Sequence, residues 1–268
     1  MTNSAWHLAG VLLWRQWREQ SRRLVWMPVG FALVLGAITV LAFSVPGVLT
    51  PLTRRALDTA MTLYFHRIHG AVALGLAFLV FQSPYFIALF ASLTGSQIAQ
   101  ASIGGEWVRG GFELLLSAPY RPQVLYVAFL VSDLLLTIWG FVWLAAVSLG
   151  VSLGVLVAMG VHLVSLPRQY FVMALVLPLP IALFANLIAL TLTFMFPKLA
   201  QIRAGGTANV IQTLAILPAV LLIFVVTLHP AIHPMRVAEY AIAAGIIGAL
   251  GLVTLLRRWF NVETLLET

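Results

Sequence analysis

Ile103-Gly-Gly-Glu106-Trp-Val-Arg109-Gly-Gly-Phe-Glu113-Leu-Leu-Leu-Ser-Ala-Pro119-Tyr-Arg121-Pro122 interrupts a chain that is otherwise long apolar runs. It carries four charges, Glu106, Arg109, Glu113 and Arg121, with apolar sequence on both sides. Gly110 and Gly111 break it, and Pro119 and Pro122 close it. Read as a helix over 105–118, it puts Trp107, Gly111, Leu114 and Leu115 on one side. Glu106, Arg109 and Glu113 fall on the other, at i, i+3 and i+7. A short amphipathic helix between two membrane spans is suited to docking a partner.

The runs around it decide the class. Of 268 residues, 62% are hydrophobic and only 9% charged, where a soluble domain has about 25% charged. Such a chain cannot keep its surface wet, so lipid is the solvent for most of it. At roughly 20 apolar residues per span, the length suits one all-α polytopic domain of six transmembrane helices. A net charge of +7 is better explained by basic residues at span ends than by nucleic acid. The chain has no cysteine, which excludes disulfides, thiolate metal sites and cysteine nucleophiles.

Working outward from the central stretch, residues 4–23 read as an N-terminal amphipathic interfacial helix. Trp6, Ala9, Leu13 and Trp17 form one stripe and Arg15, Arg18 and Arg22 another. Tryptophan favours the headgroup zone and arginine favours anionic lipid. The alternative is that 4–23 simply extends the first span. That span is placed at 25–45, long enough to act as an uncleaved anchor, with Pro28 in its first turn, where proline is tolerated. The second is placed at 70–93, kinked by Pro84, and the third at 124–149. The run 151–160 either continues the third or re-enters the membrane. The fourth is placed at 170–196, broken in its middle by Pro178 and Pro180, the fifth at 210–228 and the sixth at 237–256.

Six spans put both termini on one side. The N-terminal segment, the 102–122 loop, the 197–209 loop and the tail share a face and hold ten of the fifteen basic residues. The positive-inside rule makes that face cytoplasmic.

Several chemistries are absent. There is no Gly-x-x-x-x-Gly-Lys-Ser/Thr loop, so the chain itself is not expected to bind or hydrolyse nucleotide. No metalloprotease or nucleophile-elbow pattern occurs. Gly104-Gly105 and Gly110-Gly111 do not follow a strand and are not read as a phosphate loop. His66, His69, His229 and His233 all fall on the outer face, as interfacial histidines commonly do, and are not read as a metal site. Asp133, about nine residues into the third span, is either a gating or transport carboxylate or one half of a structural pair with Arg121 or Arg109. Asn186 is read as an interhelical hydrogen bond.

Glu106-Trp-Val-Arg-Gly110-Gly-Phe-Glu113-Leu-Leu-Leu-Ser-Ala-Pro119 resembles the cytoplasmic signature of the ABC-2 type permeases, the membrane subunits of ATP-binding-cassette exporters. That pattern is roughly Glu-Arg-x-x-Gly-Thr-x-Glu-x-Leu-Leu-x-(Ser/Thr)-Pro. Matching positions are Glu106, Gly110, Glu113, Leu115, Leu116 and Pro119. Trp107 stands where a basic residue is usual, Gly111 where threonine is usual, and Ser117 lies two residues before the proline. The motif covers under a tenth of the chain; span count and layout extend the likeness over nearly all of it.

The resemblance implies a multi-pass protein of the prokaryotic inner (cell) membrane, with both termini cytoplasmic. It implies docking of an ABC ATP-binding subunit, which would hold ATP and Mg, on a coupling helix between spans 2 and 3. The docking residues would be Glu106, Trp107, Arg109, Gly110, Gly111, Phe112, Glu113 and Leu116. A second permease chain would complete the translocation path, as a homodimer or heterodimer. The alternative is an ion-gradient-driven secondary transporter or channel using Asp133. No inverted repeat is visible between the halves, which counts against it.

Overall fold

The computed structural model describes residues 2–44, 51, 55, 58, 83–108, 110–111, 122–158, 168–196, 210–228 and 234–259. Every element among them is an α-helix: α1 Thr2–Ser44, α2 Ser83–Val108, α3 Pro122–Ala158, α4 Arg168–Val176, α5 Pro178–Met195, α6 Val210–Leu228 and α7 Pro234–Trp259. Five stretches are long and apolar enough to cross a membrane: Ala5–Leu41, Ser83–Glu106, Val124–Ala158, Met173–Met195 and Met235–Thr254. Val210–Val226 is a shorter apolar helix. Large apolar side chains such as Trp26, Leu33, Phe224, Ile247 and Leu250 face outward. The chain is a multi-pass helical membrane protein.

Several elements run further than the sequence suggests. Residues 4–23 and 25–45 form one helix of 43 residues, about 64 Å at 1.5 Å per residue. The alternative of a simple extension is the one observed, and Pro28 sits in a helix interior rather than a first turn. Over this stretch α1 buries Leu8, Ala9, Leu12 and Gln16, with Leu13 and Trp17 partly buried, while Trp6 is exposed. α2 continues past residue 93 to Val108, so the segment placed at 105–118 begins as the last turn of α2. α3 is continuous to Ala158, so 151–158 does not re-enter. The sequence-placed residues 70–82, the four outer histidines and the 197–209 loop lie outside the described residues.

Pro178 and Pro180 restart the fourth span rather than break it. Leu177 keeps helical dihedrals, φ −63° and ψ −46°, and its N–H donates to the Met173 carbonyl at 3.3 Å. The prolines then fall in the first turn of α5, where a missing N–H costs no intrahelical bond.

Helix directions follow from what touches what. α1 and α3 run parallel: Trp17 meets Trp139, the Trp143 indole donates to the Val25 carbonyl at 3.1 Å, and Gly36 lies against Val151. α2 runs antiparallel to α3, with Gly95 beside Thr137 and Ser102 bonded to Asp133. α2 and α5 run parallel through the centre. α7 follows α5, with Gly245 against Pro180 and Gly248 under the Phe184 ring. At one end of the bundle a single apolar cluster joins Leu8 and Leu12 of α1, Ile103 of α2, Leu125 and Phe129 of α3, Phe194 of α5 and Ile211 of α6. The starts of α1, α3 and α6 and the ends of α2 and α5 therefore share that end.

The central α2–α5 seam is built from small residues. Ala88, Ala91, Ser92, Gly95, Ser96 and Ala99 of α2 are buried, as are Ala182, Ala185, Asn186, Ala189 and Thr193 of α5. Lipid gives no hydrophobic drive for helix association, so close backbone approach and interhelical hydrogen bonds take over. The small hydroxyls bond back to their own helix: Ser92 to Ala88 O at 2.7 Å and Thr191 to Leu187 O at 2.6 Å. Thr193 Oγ1 is an exception, buried without a hydrogen-bond partner among the described residues. At its midpoint the Asn186 amide donates to Gly95 O at 3.0 Å and Thr137 Oγ1 at 2.9 Å, joining α5, α2 and α3.

A Cβ on Gly95 would lie 3.0 Å from Ala182 O and 3.1 Å from Thr137 Cγ2, whereas one on Gly30 meets nothing within 4 Å. Gly95→Val is expected to lower stability by about 1–3 kcal/mol through overpacking. Gly30→Ala is expected to be neutral or slightly stabilising, since alanine is the better helix former by about 1 kcal/mol. Unfolding titrations in mixed detergent micelles check both; equal stability of Gly95→Val and the wild type would refute the tight seam.

Candidate functional site

Polar side chains converge where α1, α2 and α3 meet near the shared end of the bundle. Ser102 and Glu106 are one turn apart on the last part of α2 and are both buried. Arg15 comes from α1, and its Nη2 lies 3.0 Å from Glu106 Oε1. The same guanidinium reaches Glu19 on its own helix, Nε to Oε1 at 3.3 Å. The Glu106 side chain is 8% exposed and that of Arg15 is 43% exposed, so the pair closes a buried carboxylate with a cation that opens to the surface.

Asp133 of α3 is fully buried, eleven residues after Pro122 and so about 16 Å along the helix. Ser102 Oγ donates to its Oδ2 at 2.8 Å and also lies 3.0 Å from the Ala99 carbonyl. Gln16 of α1, buried next to Arg15 in sequence, is the other polar neighbour of this carboxyl. Its amide does not reach hydrogen-bond geometry, and Asp133 Oδ1 has no hydrogen-bond partner among the described residues. Arg15–Glu106 and Gln16–Ser102–Asp133 thus lie side by side, with Arg15 and Gln16 adjacent on α1 and Ser102 and Glu106 adjacent on one face of α2.

The two glycines after α2 have a physical role. Gly110 has φ +68°, a left-handed conformation that glycine adopts without steric cost. It turns the chain back so that Gly111 packs on Glu106, whose Oε2 occupies the place a Cβ at 111 would need. A side chain at position 111 would meet the Glu106 carboxylate unless that carboxylate shifted.

The sequence-derived residues are placed unevenly. Glu106, Gly110, Gly111 and Asp133 come together in or beside this cluster. Trp107 is in the last turn of α2, with a side chain outside the described ones. Arg109, Phe112, Glu113, Leu116 and Arg121 also lie outside the described residues, so neither arginine pairing considered for Asp133 is described. Glu106 is buried against α1 instead of standing on an open polar face. Sequence reasoning missed Arg15, Gln16 and Ser102 as partners of the acids. Signals were present: Ser102 precedes Glu106 by four residues, and Gln16 continues the spacing of Leu8 and Leu12.

Comparison with known proteins returned no matching family model, no matching curated protein and no matching solved structure.

Removing Arg15 leaves Glu106 buried without its cation, so Arg15→Gln is expected to cost about 2 kcal/mol and Glu106→Gln less. A double-mutant cycle should give a coupling of about 1–2 kcal/mol. In a Gly111→Ala background, where the carboxylate is displaced, that coupling should fall below about 0.5 kcal/mol. Detergent unfolding of the eight combinations measures this. Undiminished coupling in the Gly111→Ala background would show that the Gly111 contact does not position Glu106.

Proposed function

We infer that the chain is the membrane permease of an ATP-binding-cassette exporter of the ABC-2 type, working with a separate ATP-binding subunit. One observation carries this reading. The residues that resemble the permease signature begin as the last turn of a central span, and their first acid, Glu106, is tied by Arg15 to α1. A partner pressing on the turn after α2 would act on a helix that touches α1, α3, α4, α5 and α6. Such a push needs no further joint to reach the bundle.

The layout supports the same reading. Five long apolar helices and a shorter sixth, alternating in direction, suit six spans with both ends on the basic side. On this reading the turn at Gly110–Gly111 faces the cytoplasm, ATP and Mg belong to the partner, and two permease chains form the path. Glu113, Arg109, Phe112 and Leu116 would carry the contact to the ATPase. The inner membrane of a prokaryote is the setting the resemblance implies.

Asp133 favours a second reading, transport driven by an ion gradient. It is a buried acid within an apolar helix, and Ser102 can serve it in either protonation state. Ionised Asp133 accepts the serine hydrogen. Protonated Asp133 donates to Ser102 Oγ while that hydrogen turns to Ala99 O, only 3.0 Å away. A proton could therefore be exchanged there without moving a helix.

Purification of the tagged chain from its native host, followed by transport assays in vesicles, separates the two. The permease reading expects an ATP-binding protein to co-purify and Glu113→Arg to reduce ATP-driven transport by at least about tenfold, or about 1.4 kcal/mol, with membrane insertion unchanged. Transport that survives ATP depletion but is lost in Asp133→Asn would favour the second reading and defeat the first.

A further inference from the structure

Arg18, Arg22 and Arg23 are exposed on the outer side of α1, while Gln16 and Leu24 on its inner side are buried. Glu19 is the only acid in α1, and Arg15 holds it at 3.3 Å. Among the described residues no carboxylate pairs with the other three arginines.

Two sets of contacts give the depth of these arginines, and they agree. Leu12 belongs to the apolar cluster at the bundle end. Arg18 lies about 9 Å and Arg22 about 15 Å further along the helix. Leu24, next after Arg23, packs by Gly140, which also faces Thr94. Thr94 adjoins Gly95, where the Asn186 amide bonds. Arg22 and Arg23 are therefore level with the middle of the α2–α5 seam. The bilayer cannot be shifted to spare them, because Val127, Met195, Val210 and Leu214 turn apolar side chains outward near the bundle end. Hydrocarbon thus reaches that level. On α7 the outward residue near the depth of Asn186 is Ile247, beside Gly248 and Phe184.

A guanidinium at this depth is costly against lipid chains, and intramembrane charges face bundle interiors or water-filled cavities. Arg18 can reach toward the bundle end along its apolar stem, but Arg22 and Arg23 start a turn or more deeper. A second copy packed dry on this face is opposed by charge. A two-fold axis would set the same face on both sides, three arginines against three. The acids of α1 and α3 offer no answer, since Glu19 is held by Arg15 and Asp133 is buried. Water carrying anions satisfies the face.

We propose that Arg18, Arg22 and Arg23 line a water-filled vestibule of the transport path, open at the end of the bundle where α1 begins, and that it selects anionic cargo. A cleft lined by one sign of charge concentrates the opposite ion and speeds its entry, and arginine is the side chain that lines anion pores. Further along α1, Leu33, Val34 and Leu41 are exposed, so the wet face stops near Trp26. The vestibule rests on the reading of the chain as a transporter, with either energy source.

The chain has no cysteine, so single thiols report on this face directly. Arg22→Cys and Ile247→Cys are made in the full chain, placed in phosphatidylcholine nanodiscs and treated with membrane-impermeant thiosulfonates, one carrying a sulfonate and one a trimethylammonium group. Arg22→Cys is expected to react with the sulfonate reagent at least about tenfold faster than Ile247→Cys. Relative to their rates with a free small thiol, the sulfonate should be favoured over the ammonium reagent by at least about fivefold. Adding Arg18→Gln and Arg23→Gln should bring that preference close to one, while Arg18→Lys and Arg23→Lys should keep most of it. Should the glutamine variant fail to insert, about 1 M salt on Arg22→Cys alone supplies the second measurement and should erase the preference by screening. Silence of Arg22→Cys toward both reagents, with the unfolded chain still labelled, would mean that lipid or a second copy covers the face and would overturn the proposal. Equal reaction with both reagents, or a preference unchanged by loss of both arginines and by salt, would overturn it as well. Neither reagent needs ATP or an ion gradient, so these outcomes are distinct from those that decide the energy source.

Discussion

In a medium without water a buried polar group is satisfied only by a partner within the protein, and the amide nitrogen of Asn186 shows what that requires, although its Oδ1 has no hydrogen-bond partner among the described residues. That one nitrogen reaches a backbone carbonyl of α2 and a hydroxyl of α3. Both bonds demand that three helix backbones approach closely, and Gly95 makes the approach possible by offering no side chain. Each interhelical hydrogen bond of this kind contributes only about 0.6–2 kcal/mol. Their larger effect is on register, because a one-residue slide of α2 on α5 would strand a buried amide. The rest of the bundle is arranged around that fixed point: α6 and α7 pack on the α5 side and α1 on the far side of α3.

The polar cluster near the bundle end obeys the same constraint less completely. Arg15 satisfies one oxygen of Glu106, and Ser102 satisfies one oxygen of Asp133. The remaining oxygen of each acid has no hydrogen-bond partner among the described residues, and neither amide atom of Gln16 has one. A core built only for stability would use apolar residues here, since well-packed hydrophobes commonly match or exceed buried ion pairs. Two buried carboxylates therefore cost this end of the bundle stability that apolar packing would supply.

The helical membrane class was legible from composition and the long apolar runs, because a chain 62% hydrophobic and 9% charged has too little polar surface to cover a soluble fold. Asn186 was legible as an interhelical bond, since a lone amide in an apolar span has few other options. Helix limits were less so. Arg22, Arg23 and Pro28 imitate the end of one element and the start of another, yet α1 passes through them because its α3 neighbour continues alongside. The buried side of α1 was legible in part: Ala9 of the expected stripe is buried and Leu13 and Trp17 pack on Leu24, Ile98 and Leu136, but Leu8, Leu12 and Gln16 beside them are buried as well. Only the carboxyl on α3 gives Gln16 a reason to face inward, and nothing local in the sequence reveals that neighbour.

Continuity of α2 changes what the central polar stretch can do mechanically. A separate helix joined by a flexible link would dissipate a push in the link. A helix that ends at Val108 and turns on Gly110 passes a displacement along its axis to Gly95 and Asn186 without an intervening joint. Glu106 stands where that rod leaves the bundle, with Arg15 on one side and Gly111 on the other. Moving the turn would tend to shift Gly111 against the carboxylate, and moving the carboxylate would strain its bond to α1. Arg15, Glu106 and Gly111 therefore make α1 and α2 respond together.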